Sequence, residues 1–438
     1  MTSSHYSQHV SHLHQLFNQV MALHHYDFVA IHSGFVRKPF MDDTHYPFVS
    51  NPYFNYWYPL TVPPHSWIIV KESSISLKFY RPDDFWHKVE TLPDDARLAN
   101  FDIEIITKPQ ALNTWCDSSA KGLVIGEEVE PWTLDLNVEI NSEAALNFLT
   151  WHRAYKTDYE KEQLREANGI AVRGHKAAAT AFHSGGTEFE INAAYFAATH
   201  QNQHSAPYDN IIALNENAAI LHYTVYESQR DKQRSKESFL IDAGAKAGHY
   251  CSDITRTYSG ANDDFAKLIQ KLDDIQQNLA SQCKVGSRYT DLHIAYHKQL
   301  LDLLIDSDLV KGSPQEAWAS GITQTFFPHG LGHLLGLQVH DLGGHQSSVE
   351  GGITPPPEAY PFLRCTRPVE ANQVFTIEPG LYFIPLLLDK LKQSKHKHLA
   401  NWQRIKDFMA YGGIRIEDNI IVNAEGVENI TREVWSAA

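Results

Sequence analysis

One stretch narrows the possibilities more than any other: Phe239-Leu240-Ile241-Asp242-Ala243-Gly244-Ala245-Lys246-Ala247-Gly248-His249-Tyr250-Cys251-Ser252-Asp253-Ile254-Thr255-Arg256-Thr257-Tyr258. Two strand-like runs flank Ala247-Gly248, and glycine in a two-residue connection signals a hairpin. With that turn, residue 246 pairs with 249, 244 with 251, and Asp242 with Asp253. The two carboxylates then stand opposite each other on one face, Cβ atoms ~5 Å apart. Carboxylates so placed repel, and a shared divalent cation answers the repulsion. Two solvated turn acids are the alternative for this hairpin taken alone.

Three later segments bear on the same question. Pro328-His329-Gly330-Leu331-Gly332-His333 leads to Gly336-Leu337-Gln338-Val339-His340-Asp341. No glutamate separates the first two histidines, and the glycines weaken a helix, so a loop or bent strand near a site is expected. Val374-Phe375-Thr376-Ile377-Glu378-Pro379-Gly380 reads as a strand with Val374, Thr376 and Glu378 on one face, stopped by Pro379-Gly380. In Gly412-Gly413-Ile414-Arg415-Ile416-Glu417-Asp418-Asn419-Ile420-Ile421-Val422, Arg415 and Glu417 share one face while Ile414 and Ile416 point to the core. A charged face in an apolar strand is costly without an ion or ligand to meet it. Each segment alone also reads as packed histidines, a solvated acid or a cross-strand ion pair. Together, Asp242, Asp253, Glu378 and Glu417 offer four negative charges beside histidine, which suits two divalent cations and hydrolysis.

The rest of the chain frames this cluster. Its 438 residues allow two or three domains. A formal net charge of −15 argues against nucleic acid or an anionic membrane as partner. No apolar run is long enough to span a bilayer, and the N-terminus lacks the pattern of a secretory leader. The four cysteines, Cys116, Cys251, Cys283 and Cys365, form no CxxC pair, which fits a reducing cytoplasm. There are 25 histidines; His9, His12, His14, His24 and His25 sit in polar, surface-like contexts.

Apolar runs at 28–31, 67–70, 75–80, 101–106 and 122–125 predict an α/β domain with a mixed sheet over the first ~150 residues. An acidic pair, Asp42-Asp43, lies in an aromatic segment reaching Tyr58. Apolar positions Leu164, Ala167, Ile170, Ala171, Gly174 and Ala178 predict a long helix from Asp158 to about Phe182, opening a second domain. Loops are expected at Gln229–Lys236 and Ser347–Pro357.

In order, Asp-x10-Asp, His-Gly-Leu-Gly-His, Ile-Glu-Pro-Gly and Gly-Ile-Arg-Ile-Glu-Asp-Asn resemble the pita-bread metallopeptidases. Within them the chain is most similar to bacterial Xaa-Pro dipeptidases (prolidases), a group that includes the organophosphorus acid anhydrolases. Met41-Asp42-Asp43, Tyr46-Pro47-Phe48, Arg81-Pro82 through Lys88, His152-Arg153-Ala154-Tyr155-Lys156-Thr157 and Ala213-Leu214-Asn215-Glu216 extend the likeness over almost the whole chain. Leu334-Leu335 after His333 departs from it, as close relatives often carry a polar residue there.

The resemblance implies an α/β (α+β) chain: a creatinase-like mixed α/β domain at 1–155, carrying dimer contacts, and a catalytic pita-bread domain at 156–438. It implies two divalent ions, manganese first. Asp242 would bind one, Asp253 and Glu417 would bridge both, and His333 and Glu378 would complete the second. Glu378 would shuttle the proton, and His340 or His329 would stabilise the oxyanion. His222 would touch substrate, and Arg415 would meet the substrate carboxylate. Tyr208, Tyr289, Val339 and Leu363 match positions that shape pockets, and Asp43 would reach the neighbouring site of a homodimer. The expected reaction is cleavage of Xaa-Pro dipeptides, with organophosphorus triesters as a side activity. An aminopeptidase for longer peptides and a non-catalytic pita-bread binder are the alternatives.

Overall fold

The computed structural model describes residues 2–231 and 237–437. Of the loop expected at Gln229–Lys236, residues 232–236 lie outside the described residues. The chain forms two compact units. One holds Met1–Arg153, Thr157–Glu162 and Ser348–Gly352; the other holds Ala154–Lys156, Gln163–Ser347 and Ile353–Ala438. No described helix is long and apolar enough to cross a membrane.

The first unit is built on a six-stranded mixed sheet. Helix α1 (Thr2–His24) precedes β1 (Phe28–His32), and the short helix α2 (Pro52–Trp57) follows it. Then come β2 (Trp67–Lys71), β3 (Ser74–Tyr80), β4 (Asp102–Ile106), β5 (Lys121–Ile125), β6 (Asn137–Ile140) and helix α3 (Glu143–Arg153). The strand order is β4-β3-β2-β1-β5-β6. Strand β1 runs antiparallel to β2 and parallel to β5. All five of its residues are buried, as befits a central strand covered on both faces. The five strands expected from the sequence are all present.

Helix α1 was not foreseen. Its buried side chains Tyr6, Val10, Leu13, Phe17 and Val20 recur at alternating spacings of four and three, a helical stripe hidden among Ser, His and Gln. His9 is not a surface histidine. It is 1% exposed, with Nε2 2.9 Å from the Tyr56 carbonyl and Nδ1 2.9 Å from Thr157 Oγ1.

The second unit packs helices on several small sheets. Helices α4 (Asp158–His183) and α5 (Glu188–Thr199) lead into strand β7 (Ile211–Leu214) and β8 (Ser238–Asp242). A tight pair, β9 (Lys246–Ala247) and β10 (Tyr250–Cys251), leads to β11 (Thr255–Ser259), and β11-β8-β7 form one sheet. Helices α6 (Asp264–Gln282) and α7 (Tyr289–Asp306) supply Phe265, Leu268, Leu272, Leu300 and Leu304 to the largest core.

Short strands β12 (Gln346–Ser348) and β13 (Gly351–Ile353) form a two-stranded sheet where the sequence suggested only a loop. Gly351 and Gly352, at φ +114° and +78°, open β13 directly after the turn at Val349-Glu350, in backbone that favours glycine. Strand β14 (Val374–Ile377) pairs with β17 (Asp418–Val422), and β15 (Gly380–Tyr382) with β16 (Gly413–Arg415). Strand β14 thus ends just before Pro379, as expected, and β15 beyond it belongs to a different sheet.

The hairpin register differs from expectation. Ala247 pairs with Tyr250, Lys246 with Cys251, and Asp242 with Thr255. The turn residues are Gly248 and His249, at φ +50° and +72°. A two-residue turn of this kind needs positive φ at both positions, which Gly-His adopts more readily than Ala-Gly. The slip is two residues, so Asp242 and Asp253 keep a common face but stand diagonal to each other.

Candidate metal centre

Gly244 occupies the place across the hairpin from Asp253. A Cβ there would lie 2.0 Å from the Ser252 carbonyl and 3.0 Å from Tyr208 Cε1. The missing side chain admits the Tyr208 ring, whose hydroxyl reaches Asp242 Oδ1 at 2.8 Å and Asp253 Oδ1 at 2.5 Å. Asp253 is further held by its amide, which donates to Asn419 Oδ1 at 3.0 Å.

The histidine segment is a loop, as its glycines suggest. Gly332 passes so close to its surroundings that a Cβ would be 2.2 Å from Tyr289 Oη and 2.3 Å from the Thr376 carbonyl. The His333 amide donates to Thr376 Oγ1 at 3.1 Å. His333 Nδ1 lies 2.9 Å from the Leu334 carbonyl, which assigns the proton to Nδ1 and leaves the Nε2 lone pair free to ligate. Nε2 is 3.4 Å from Asp253 Oδ2 and 3.8 Å from Glu378 Oε1.

Glu378, just beyond β14, is fixed by its amide donating to the Leu331 carbonyl at 2.8 Å. Glu417 lies between β16 and β17 and bridges to Thr255. It accepts a hydrogen bond from Thr255 Oγ1 at 2.7 Å. Behind it, Arg256 donates to the Glu417 carbonyl at 2.7 Å and to Asp418 Oδ1 at 2.6 Å. Asp253, His333 and Glu417 each bring one ligand atom within 4.8 Å of the others.

The electrostatics suit cations. Burial raises Asp242, Glu378 and Glu417, with Glu378 reaching about 7, and neighbouring carboxylates push all three the same way. Burial opposes ionisation of Asp253 too, but His333 and Tyr208 hold it below its ordinary value. Tyr208 has one proton for two carboxylates. Four carboxylates facing one arginine and one histidine are balanced in charge only if they keep protons or hold cations. An all-oxygen-and-nitrogen donor set of this kind fits hard divalent cations.

These residues open into a cavity of about 500 Å³, whose wall also carries His222, His329, His340, Leu363 and Arg364. The His340 ring stands edge-on to His333, centroids 4.5 Å apart. Other expected site residues lie elsewhere. Tyr289 is fully buried, its hydroxyl donating to the Thr376 carbonyl at 2.6 Å beneath Gly332. Val339 does not line the cavity. Asp43 is exposed on the first unit.

Arg415 has internal partners: Nη2 donates to Asp242 Oδ2 at 2.7 Å, Nη1 to Tyr382 Oη at 2.9 Å, and Nε to Thr255 Oγ1 at 3.2 Å. Tyr382 in turn lies 2.7 Å from His329 Nε2. Tyr382, Thr255 and Arg364 belong to the site without being among the residues expected from the sequence. Tyr382 sits on the strand after Glu378, and its position beyond Pro379-Gly380 was the one available signal.

Residues 162–424 match Metallopeptidase family M24, and residues 4–151 match the Xaa-Pro dipeptidase N-terminal domain. The chain belongs to metallopeptidase family M24. This M24 chain is 46% identical to an Xaa-Pro dipeptidase of Shewanella woodyi and 47% identical to one of Pseudoalteromonas translucida, with 98% of each chain covered. In fold it resembles proline aminopeptidase P II from Yersinia pestis, with a TM-score of 0.70 at 21% identity, covering 99% of this chain and 97% of that one. It likewise resembles zinc-substituted Escherichia coli aminopeptidase P in complex with product, with a TM-score of 0.71 at 21% identity, covering 98% and 97%. The M24 chain is thus a metal-dependent peptidase, with a mixed α/β N-terminal domain and a C-terminal pita-bread domain.

Proposed function

We propose that this M24 peptidase is an Xaa-Pro dipeptidase with a pair of divalent ions, manganese favoured by four carboxylates, one imidazole and no sulfur. The observation that carries the reading is Arg364. It is exposed on the wall of the cavity that contains the carboxylate cluster, whereas Arg415 on the same wall is bonded to Asp242, Tyr382 and Thr255. A cation at that wall suits the free carboxylate of a C-terminal proline and limits how far a peptide extends. The names of relatives 45–47% identical over nearly the whole chain support the same substrate class.

Asp242 would hold one ion, His333 and Glu378 the other, with Asp253 and Glu417 shared. The ions would supply Lewis acidity toward the scissile carbonyl and acidify the attacking water. Glu378, beside the attacking water, would accept its proton and return it to the leaving imino nitrogen. His329 and His340 would face the carbonyl oxygen, and His222 and Leu363 the substrate side chains. Arg415 would keep Asp242 ionised and Tyr382 in place.

A homodimer belongs to this reading. Phe40 and Met41, 92% and 90% exposed, directly precede the Asp42-Asp43 pair with apolar surface of the kind a second subunit covers.

The test compares hydrolysis of Ala-Pro and Ala-Pro-Ala with added Mn²⁺. Faster dipeptide cleavage is expected. Faster tripeptide cleavage would decide for an aminopeptidase, and no metal binding with no cleavage would decide for a binder.

A further inference from the structure

The motif His152-Arg153-Ala154-Tyr155-Lys156-Thr157 has no role in the chemistry above. Yet Ala154–Lys156 group with the second unit while the residues on either side group with the first. The reason is where Lys156 goes. Its ammonium lies 2.8 Å from Asp341 Oδ2, and both side chains are 1% exposed. Asp341 directly follows His340.

The loop around this pair is closed on itself. The Asp341 amide donates to the Leu334 carbonyl at 3.0 Å, the Gly336 amide to Gln338 at 3.1 Å, and the Leu335 amide to Val374 at 3.0 Å. His333 enters the loop and His340 leaves it, with their rings in edge contact. Gly336 shows how tightly the loop wraps the pair: a Cβ there would be 2.2 Å from Asp341 Oδ2 and 2.9 Å from Lys156 Nζ. The Lys156 amide is itself anchored, donating to the Asn372 carbonyl at 2.7 Å. Tyr155 next to it donates to Glu370 at 2.6 Å.

We propose that Lys156 is a positioning residue, which through its buried pair with Asp341 sets where the loop 334–341 presents His340 to the substrate. A stability role alone does not account for the placement. A buried ion pair is replaceable by apolar residues at little or no cost in stability, whereas this one fills the inside of the loop that ends in His340. The inference rests on the dipeptidase reading for what His340 does, but not for what holds it.

The experiment uses full-length Lys156→Met, Lys156→Arg, and the double variant Lys156→Met/Asp341→Leu, which removes both charges. Ala-Pro hydrolysis with Mn²⁺, thermal unfolding and amide hydrogen exchange of the 334–341 peptide are measured on each. In the double variant we expect wild-type thermal stability, faster exchange in 334–341, and kcat lowered about 10- to 100-fold with KM within about threefold. Lys156→Arg should recover part of kcat. If the double variant regains kcat along with stability, or its 334–341 peptide exchanges as in wild type, Lys156 is merely structural and the proposal fails. If Lys156→Met does not fold, the double variant decides. A wild-type protein that leaves Ala-Pro intact would refute the dipeptidase reading instead, and hydrogen exchange would still judge Lys156.

Discussion

Removing divalent cations should cost more stability the higher the pH through the weakly acidic range, because the carboxylate cluster then depends on protons that the cations otherwise replace. The effect follows from Glu378, whose ordinary value of 4.5 is raised by burial to about 7. Between those values the folded chain keeps a proton that the unfolded chain has released. The stability is therefore fully present below 4.5 and lost as pH climbs through 7. That step corresponds to about 3 kcal/mol for this one group.

Glu417 and Asp242, also raised by burial, act in the same direction. So does His333, where burial is outweighed by Asp253 and Glu378 and the ring is raised. Asp253 is lowered, so its opposing contribution falls below its ordinary 3.8. The assay is urea unfolding with a chelator at several pH values from 5 to 8, repeated with saturating Mn²⁺. Eight histidines held below their ordinary value by burial, His32 and His293 among them, push stability the other way in both forms. The cluster is therefore read from the difference: the stability gap between cation-loaded and chelated protein should widen steadily toward pH 7. A gap that stays flat or narrows toward pH 7 would refute the account of the carboxylate cluster.

Asp253→Asn should leave the thermal unfolding profile near wild type while lowering turnover on Ala-Pro by about 10³-fold or more; near-normal turnover would remove Asp253 from the centre. Arg364→Ala should raise KM for Ala-Pro by about 10- to 100-fold and narrow the preference for dipeptides over tripeptides, read from steady-state kinetics on both. Gly332→Ala should cost about 3 kcal/mol or more, because its Cβ would meet Tyr289 and the Thr376 carbonyl; chemical denaturation measures it.

What the sequence disclosed follows the reach of each signal. Strand periodicity placed β1 to β5, and the apolar stripe of α4 was readable because its polar face is charged. In α1 the same stripe is interleaved with histidine, which reads as neither core nor surface. The hairpin register turned on which two residues take positive φ, and a slip of two preserved the shared face of Asp242 and Asp253. Tyr382, Thr255, Arg364 and Lys156 were illegible for another reason. Lys156 and Asp341 are brought together by the fold alone, and no local spacing records such a meeting.

The candidate ligands come from four separated stretches, at 242–253, 333, 378 and 417. An ion joining them would close chain loops of tens of residues, each at an entropic cost that grows with length. The unfolded chain therefore offers no high-affinity nucleus, and the hairpin alone contributes only two carboxylates. The cation must arrive after the helices and sheets have assembled, as a clasp fastened on a finished frame rather than a seed around which the frame grows. Refolding rates should accordingly be insensitive to Mn²⁺, and the ion's influence should appear in how slowly the assembled protein comes apart.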